Sequence, residues 1–192
     1  TIFNGDPMTC NMKKLMLPDF FQASEVPIVH KFYRNYFKDC YVCGDVDYIF
    51  GPNTAFFDHC EIHSIARVSE EKAYITAAST PAGQEFGLIF SHCRITGEEP
   101  DSVYLGRPWR DCAKTAFICC ELGDHICPEG WQNWGKVRAE VLSDYIEYGN
   151  FGPGADCSGR SPLSRCLVNP EVETYFSKEN VLVGEDGWIP AE

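Results

Sequence analysis

Two short segments of this chain contain residues that can do chemistry. The first is GDVDYIFG at residues 44–51, where acidic residues lie in an apolar stretch bounded by glycines. An aspartate in such surroundings is costly unless it is paired or hydrogen-bonded. The second is YLGRPWR at residues 104–110, which places a guanidinium beside an indole. An arginine can orient a neighbouring carboxylate in its ionised form, and an exposed tryptophan offers a flat face to a sugar ring.

Asp47 and Arg107 are the two residues of these segments on which a mechanism would depend. Together they form either a reactive carboxylate with its charge partner or a buried structural ion pair. They are far apart in the chain, and the spacing alone does not show that they meet. Both interpretations therefore stay open at this point.

The elements that must position Asp47 and Arg107 contain a repeat, Phe-x-x-Cys-x-aliphatic, which occurs four times. Its cysteines are Cys40, Cys60, Cys93 and Cys120, which lie 20, 33 and 27 residues apart. Short β-rich runs at such intervals, with turn residues between them, indicate stacked coils of a solenoid. In each run the cysteine and the aliphatic residue are two positions apart and share one face of a strand.

Eleven cysteines in 192 residues admit several interpretations. Because the repeat places four of them at equivalent positions, we interpret these as small buried core residues. A disulfide between Cys157 and Cys166 in the tail is possible. A zinc site built from Cys40-x-x-Cys43 and Cys60-x-x-His63 is the alternative, although residues three apart on a strand point to opposite faces.

Composition restricts the class of partner. The chain has 16 Lys and Arg against 28 Asp and Glu, a formal net charge of -12. This charge argues against nucleic acid and against an anionic membrane surface, because both would be repelled. No apolar run approaches the roughly 20 residues that span a bilayer. A neutral or esterified ligand fits better.

We expect a single domain over residues 1–192, with three parts. Residues 1–30 are irregular, residues 31–125 carry the repeat and both reactive segments, and residues 126–192 form the last coils and a tail helix. In the first part a short helix is predicted from four-residue spacings, with the methionines Met8, Met12 and Met16 on one face.

The tail helix is predicted from Asn169-Pro170, which has the pattern of an N-cap followed by proline at the first helical position. Val172, Tyr175 and Phe176 would form its apolar face against the solenoid. The sequence has no G-x-S-x-G elbow and no Ser-His-Asp order, so a serine esterase is not expected. The histidines His30, His92 and His125 are interpreted as surface or hydrogen-bonded residues.

GDVDYIFG and YLGRPW resemble the two signature motifs of the pectin methylesterase (pectinesterase) family, G-x-V-D-F-I-F-G and L-G-R-P-W. Four further segments resemble the family, especially its bacterial members, and follow its order. They are YFKDCYV at 36–42, YITAAST at 74–80, PEGWQNWG at 128–135 and YIEYGNFGPGA at 145–155. The similarity covers the chain from about residue 32 to its C-terminus.

This resemblance implies an all-β fold, a right-handed single-stranded parallel β-helix with a short C-terminal helix. It also implies hydrolysis of the methyl esters of polygalacturonate, giving pectate and methanol. Asp47 matches the nucleophile and Arg107 the arginine that holds it ionised, while Trp109 and Phe50 match aromatic residues of the substrate cleft. No metal and no organic cofactor are implied. We expect a monomer that binds methyl-esterified pectin and is secreted, extracellular or periplasmic.

The N-terminal part departs from the family pattern. The family carries a Gln-Asp-Thr motif whose aspartate acts as general acid and whose glutamine binds the substrate oxyanion. Here Gln22 matches the glutamine, whereas Ala23 occupies the position of the acid. Compared with the family pattern, we also expect the N-terminal coils of the solenoid to be truncated in this chain. The alternative function is therefore a catalytically impaired pectin-binding β-helix that lacks the general acid.

Overall fold

The computed structural model describes residues 34–69, 71–184, 186–188 and 190, and the backbone of residues 2–4 and 15–16. The strands in this part of the chain are β1 Ile2–Asn4, β2 Leu15–Met16, β3 Arg34–Lys38, β4 Tyr41–Gly44, β5 Val46–Gly51, β6 Thr54–Asp58, β7 Glu61–Ser64, β8 Ala73–Ala78, β9 Leu88–Ser91, β10 Arg94–Gly97, β11 Val103–Pro108, β12 Lys114–Ile118, β13 Glu121–Leu122, β14 Asp144–Tyr148 and β15 Ser164–Leu167. The helices there are α1 Ala139–Leu142, α2 Glu171–Tyr175 and α3 Lys178–Leu182, with 3-10 turns at Pro153–Ala155 and Cys157–Gly159.

These strands form three parallel sheets around one core. Sheet 1 has the order β1-β3-β6-β9-β12-β14-β15, sheet 2 the order β4-β7-β10-β13 and sheet 3 the order β2-β5-β8-β11. The chain runs from sheet 1 to sheet 2 to sheet 3 and returns to sheet 1 one strand further along, as in β6, β7, β8 and β9. Crossovers between parallel strands are almost always right-handed. The predicted right-handed parallel β-helix is confirmed.

The Phe-x-x-Cys-x-aliphatic repeat explains why the coils stack in register. Phe37, Phe57, Phe90 and Phe117 are paired in sheet 1, and their rings stack with centroids 4.6, 4.6 and 4.5 Å apart. The aliphatic residues form a second column in sheet 2, from Val42 through Ile62 and Ile95 to Leu122. Similar apolar side chains at equivalent positions bury a continuous core that no coil could bury alone.

Three of the four repeat cysteines are buried core residues, as predicted, whereas Cys40 is only partly buried and packs against the core. Cys60, Cys93 and Cys120 are buried and carry free thiols. Each thiol donates to the carbonyl of the phenylalanine one coil earlier, for example Cys93 Sγ to Phe57 O at 3.3 Å. The tail cysteines differ, because Cys157 and Cys166 form a disulfide.

The predicted tail helix is also present. It is α2, and the side-chain oxygen of Asn169 accepts a hydrogen bond from the backbone N–H of Glu171 at 3.0 Å. Val172 and Phe176 are buried against the outer face of sheet 1, while Tyr175 is half-exposed.

Two sequence-based expectations are wrong. Met16 lies in β2, opposite Phe50 of β5, and not in a helix, because pairing along the open edge of sheet 3 prevails over the four-residue spacing. Met8 and Met12 lie outside the described residues. His125 is buried, and neither ring nitrogen has a hydrogen-bond partner among the described residues. No helix in the described part is long and apolar enough to cross a membrane.

Candidate active site

Asp47 lies on sheet 3 at an irregularity of β5. Val46 pairs with Tyr74 and Ile49 pairs with Thr76, so β5 has one residue more than β8 between these pairs. Asp47 lies in this bulge, and its left-handed backbone, with φ 48°, accommodates the extra residue. Bulges of this kind re-aim a side chain and are frequent beside active sites. The Asp47 carboxylate is thereby presented at the outer surface of sheet 3.

Arg107 reaches this carboxylate from β11, two strands away across β8. Its Nε donates to Asp47 Oδ1 at 2.9 Å and its Nη2 to Asp47 Oδ2 at 2.6 Å. The two side chains are only 17% and 14% exposed. A two-pronged contact of this kind fixes the plane of the carboxylate as well as its position.

Two aromatic rings hold the guanidinium from either side. The Cζ atom of Arg107 lies 3.8 Å from the centroid of Tyr74 and 3.7 Å from that of Trp134. Burial raises the pKa of Tyr74 above its usual value, so its ring remains neutral beside the cation. Because the planar guanidinium lies between two faces, it has little freedom to leave Asp47.

Lys136 fixes the turn that follows Arg107. Its Nζ donates to the carbonyl oxygens of Pro108 at 2.7 Å and Trp109 at 2.8 Å. Burial lowers the pKa of Lys136, and the neighbouring arginines lower it further. These contacts hold the Trp109 backbone beside the Asp47–Arg107 pair.

An aromatic wall and two open depressions border the pair. The rings of Phe50 and Trp109 are 5.3 Å apart and tilted by 53°. One depression of ≈ 610 Å³ has Arg107 and Tyr74 in its lining, and another of ≈ 440 Å³ has Trp109 and Lys136 in its lining. The surface is therefore concave next to Arg107 and next to Trp109.

The structure brings together four of the five residues singled out from the sequence: Asp47, Arg107, Phe50 and Trp109. Gln22 lies outside the described residues, as does Ala23. Sequence reasoning gave no role to Tyr74, Trp134 and Lys136. A signal was available, because the segments YITAAST and PEGWQNWG contain the first two of these residues.

The alternative zinc site is not assembled by this fold. Cys60 points into the core, whereas Cys43 and His63 pair on the outer face of sheet 2. Among the described residues, no three ligand atoms from Cys40, Cys43, Cys60 and His63 lie within 4.8 Å of one another.

Comparison with known proteins gives consistent matches. A sequence model described as "Pectinesterase" matches residues 22–185. Pectinesterase 31 of Arabidopsis thaliana is 39% identical over 140 residues, which are 72% of this chain and 43% of that protein. This chain therefore spans less than half the length of that relative.

Two solved structures are similar in fold. A pectin methylesterase from carrot is 29% identical with a TM-score of 0.71, and the match covers 80% of this chain and 51% of that one. A pectin methylesterase in complex with a hexasaccharide is 27% identical with a TM-score of 0.67, covering 82% of this chain and 53% of that one.

Proposed function

The chain belongs to the pectinesterase family, and we propose that it hydrolyses the methyl esters of polygalacturonate, releasing methanol and leaving pectate. The observation that carries this proposal is the Asp47 carboxylate, oriented by both prongs of Arg107 at an open surface. A purely structural ion pair needs neither the backbone bulge nor the neighbouring depressions.

In the proposed reaction Asp47 is the nucleophile. One carboxylate oxygen attacks the carbonyl carbon at C6 of a galacturonate ester, the bond to the methoxy group breaks, and an acyl-enzyme forms. The leaving methoxy group takes up a proton and departs as methanol. Water then attacks the acyl-enzyme, which releases the free acid and regenerates the Asp47 carboxylate, and the remaining proton of the water replaces the one taken up by the methoxy group. Arg107 keeps the nucleophile oriented and compensates its charge. The reaction uses no metal and no organic cofactor.

The proton for methanol must come from an acid that the family supplies in its Gln-Asp-Thr motif. The matching segment here contains Gln22 and Ala23, which lie outside the described residues. We propose that Gln22 helps to bind the substrate, as its family counterpart does. Loss of a general acid commonly costs about 100- to 10,000-fold in rate, so the level of turnover is the critical measurement.

The surroundings of Asp47 suit a long, largely uncharged polysaccharide. Trp109 and Phe50 offer faces on which sugar rings can pack, and depressions next to Arg107 and next to Trp109 leave room for neighbouring sugar units. A formal charge of -12 disfavours a fully ionised polyanion and favours an esterified one. A relative of the same fold forms a complex with a hexasaccharide. Because pectin lies outside cells, we propose a secreted location, and we propose that the protein acts as a monomer.

The test is methanol release from highly methylated pectin by the wild-type chain, Asp47→Asn and Asp45→Asn. Asp45 is a matched control, because it is an exposed carboxylate two residues away, and its hydrogen bond among the described residues is to the backbone N–H of its neighbour Val46. We expect Asp47→Asn to lose at least about 1,000-fold of the rate, and Asp45→Asn to stay near wild type. A folded wild type that binds pectin but releases no methanol would contradict the proposed activity and favour the impaired, pectin-binding alternative.

A further inference from the structure

The turns between sheet 1 and sheet 2 form a column of side chains that the proposed reaction does not use. In three successive coils the residue that directly follows the strand of sheet 1 has a left-handed backbone. Its φ is 51° at His59, 53° at His92 and 54° at Cys119. Because these positions are equivalent, the side chains stack along the solenoid. The rings of His59 and His92 are parallel to within 8° and 5.1 Å apart.

Helix α2 brings a carboxylate to this column. His92 Nε2 lies 3.7 Å from Glu173 Oε1. The ligand atoms of His92, Cys119 and Glu173 all lie within 4.8 Å of one another. The three residues come from two neighbouring turns and from the helix that packs across sheet 1. This cluster lies at the turns that follow the strands of sheet 1, whereas Asp47 and Arg107 are on sheet 3.

The three groups form a donor set suited to a divalent metal. Imidazole nitrogen, thiolate sulfur and carboxylate oxygen are the ligands that zinc takes in proteins, at about 2.0 to 2.3 Å from the ion. In a tetrahedral site these bond lengths separate the ligand atoms by about 3 to 4 Å. The present arrangement therefore needs only small side-chain adjustments, and the exposed edge leaves a fourth position for water.

A neighbouring hydroxyl prepares His92 for this role. Ser91 Oγ lies 2.9 Å from His92 Nδ1. When Nδ1–H donates to this oxygen, Nε2 carries a lone pair and faces Glu173 and Cys119. Metal-binding histidines usually hold their second nitrogen in this way, which fixes the ring and its tautomer.

An ion pair between His92 and Glu173 alone does not account for Cys119. Cys119 Sγ lies within 4.8 Å of the ligand atoms of both His92 and Glu173. A metal-bound cysteine is a thiolate, so in the bound state the Cys119 and Glu173 side chains would carry two negative charges. A divalent cation would neutralise both charges, with release of the thiol proton to solvent.

We propose that His92, Cys119 and Glu173 bind a divalent transition-metal ion, zinc being the ion that best matches this donor set. The ion links α2 to the turns of two coils and thereby fastens the C-terminal helices to sheet 1. The site is separate from the proposed esterase site, so the two proposals stand or fall independently.

The experiment uses the purified full chain after removal of metals with a chelator. Zinc binding is measured by competition with a chromophoric chelator, and cobalt(II) is added separately to detect a thiolate-to-cobalt charge-transfer band. We expect one zinc per chain, a charge-transfer band, and a higher melting temperature with zinc. Cys119→Ser should abolish the band, and Glu173→Gln should weaken zinc binding by on the order of tenfold or more.

Cys43→Ser is the matched control, because Cys43 is a partly exposed free cysteine on the outer face of sheet 2. It should keep the affinity, the band and the zinc-induced stabilisation. Glu173 is exposed, so Glu173→Gln should fold even where Cys119→Ser does not. A folded wild type without the charge-transfer band, or equal zinc affinities in Glu173→Gln and Cys43→Ser, would overturn the proposal and leave an ordinary surface ion pair.

Discussion

At the scale of single residues, the candidate active site rests on two strained backbones. Asp47 at the bulge of β5 and Trp134 in a loop, two of the residues that contact Arg107, have φ angles of 48° and 55°. Aspartate tolerates the left-handed region, but a bulky aromatic residue there is an outlier. Such strain costs on the order of 1–3 kcal/mol and persists only where surrounding contacts enforce it. Here both distortions aim a side chain at the same guanidinium.

The contact between Trp134 and Arg107 leads to a prediction about activity. Trp134→Leu removes one of the two aromatic faces while leaving the Asp47–Arg107 hydrogen bonds in place. Because a cation–π contact contributes about 0.5–2 kcal/mol, kcat/KM for methanol release should fall roughly 2- to 30-fold. Trp134→Phe keeps an aromatic face and should recover most of the loss.

Steady-state kinetics on methylated pectin distinguish these variants, with circular dichroism to verify the fold. A loss of equal size in Trp134→Phe and Trp134→Leu would mean that the indole acts through bulk packing and not through its face on Arg107.

At the scale of elements, sheets 1 and 2 were predictable and sheet 3 was not. The repeat fixes the stacking of Phe57 on Phe90 because both occupy the same position of a visible motif. Sheet 3 carries no such motif. The meeting of Asp47 with Arg107 depends on the register of β5, β8 and β11 and on one bulged residue. Hydrophobic pattern does not encode that register, so only the family resemblance indicated that the two residues belong together.

Sequence analysis did not identify Tyr74 and Trp134, the residues that hold the Arg107 guanidinium, for a related reason. Tyr74 lies on the middle strand and Trp134 on a distant loop, and each looks like an ordinary aromatic residue in the sequence. Their role comes from their distance to Arg107, which only the assembled coils define.

The element scale also gives a prediction about pH. His125 is 1% exposed, and its ring packs so closely on Gly97 that a Cβ added there would lie 2.5 Å from it. Burial lowers the pKa of His125 from 6.5 to about 4. The unfolded chain therefore binds the proton more readily, and stability falls as the pH drops from about 6.5 towards 4. The difference corresponds to on the order of 3 kcal/mol.

Urea unfolding between pH 7 and 4 measures this contribution. His125→Leu, which cannot titrate and has similar volume, should show a smaller loss of stability over this range than the wild type. Parallel pH profiles for the two proteins would show that other groups cause the acid sensitivity.

At the scale of the whole molecule, a buried ion pair ties the last coils together. Arg160 donates to both carboxylate oxygens of Glu147, at 2.9 and 3.0 Å, and the two side chains are 4% and 2% exposed. Glu147 also accepts from Trp131 Nε1 at 2.9 Å, and Arg160 donates to the carbonyl of Gly154 at 2.6 Å. These contacts join β14, the loop before it and the tail segment that contains the disulfide.

Removing one partner of this pair should lower the free energy of unfolding far more than removing both partners. Arg160→Met leaves the Glu147 carboxylate buried without its cation, and we expect a loss of about 3–5 kcal/mol in the free energy of unfolding. The double variant Glu147→Gln with Arg160→Met keeps an acceptor for Trp131 and buries no charge, so it should recover a large part of this loss.

Arg165→Met is the matched control, because Arg165 and its partner Asp144 are 61% and 40% exposed. Exposed pairs contribute about 0–1 kcal/mol. Urea unfolding with the disulfide intact measures all three, and equal effects of Arg160→Met and Arg165→Met would show that the buried pair does not hold this end of the solenoid.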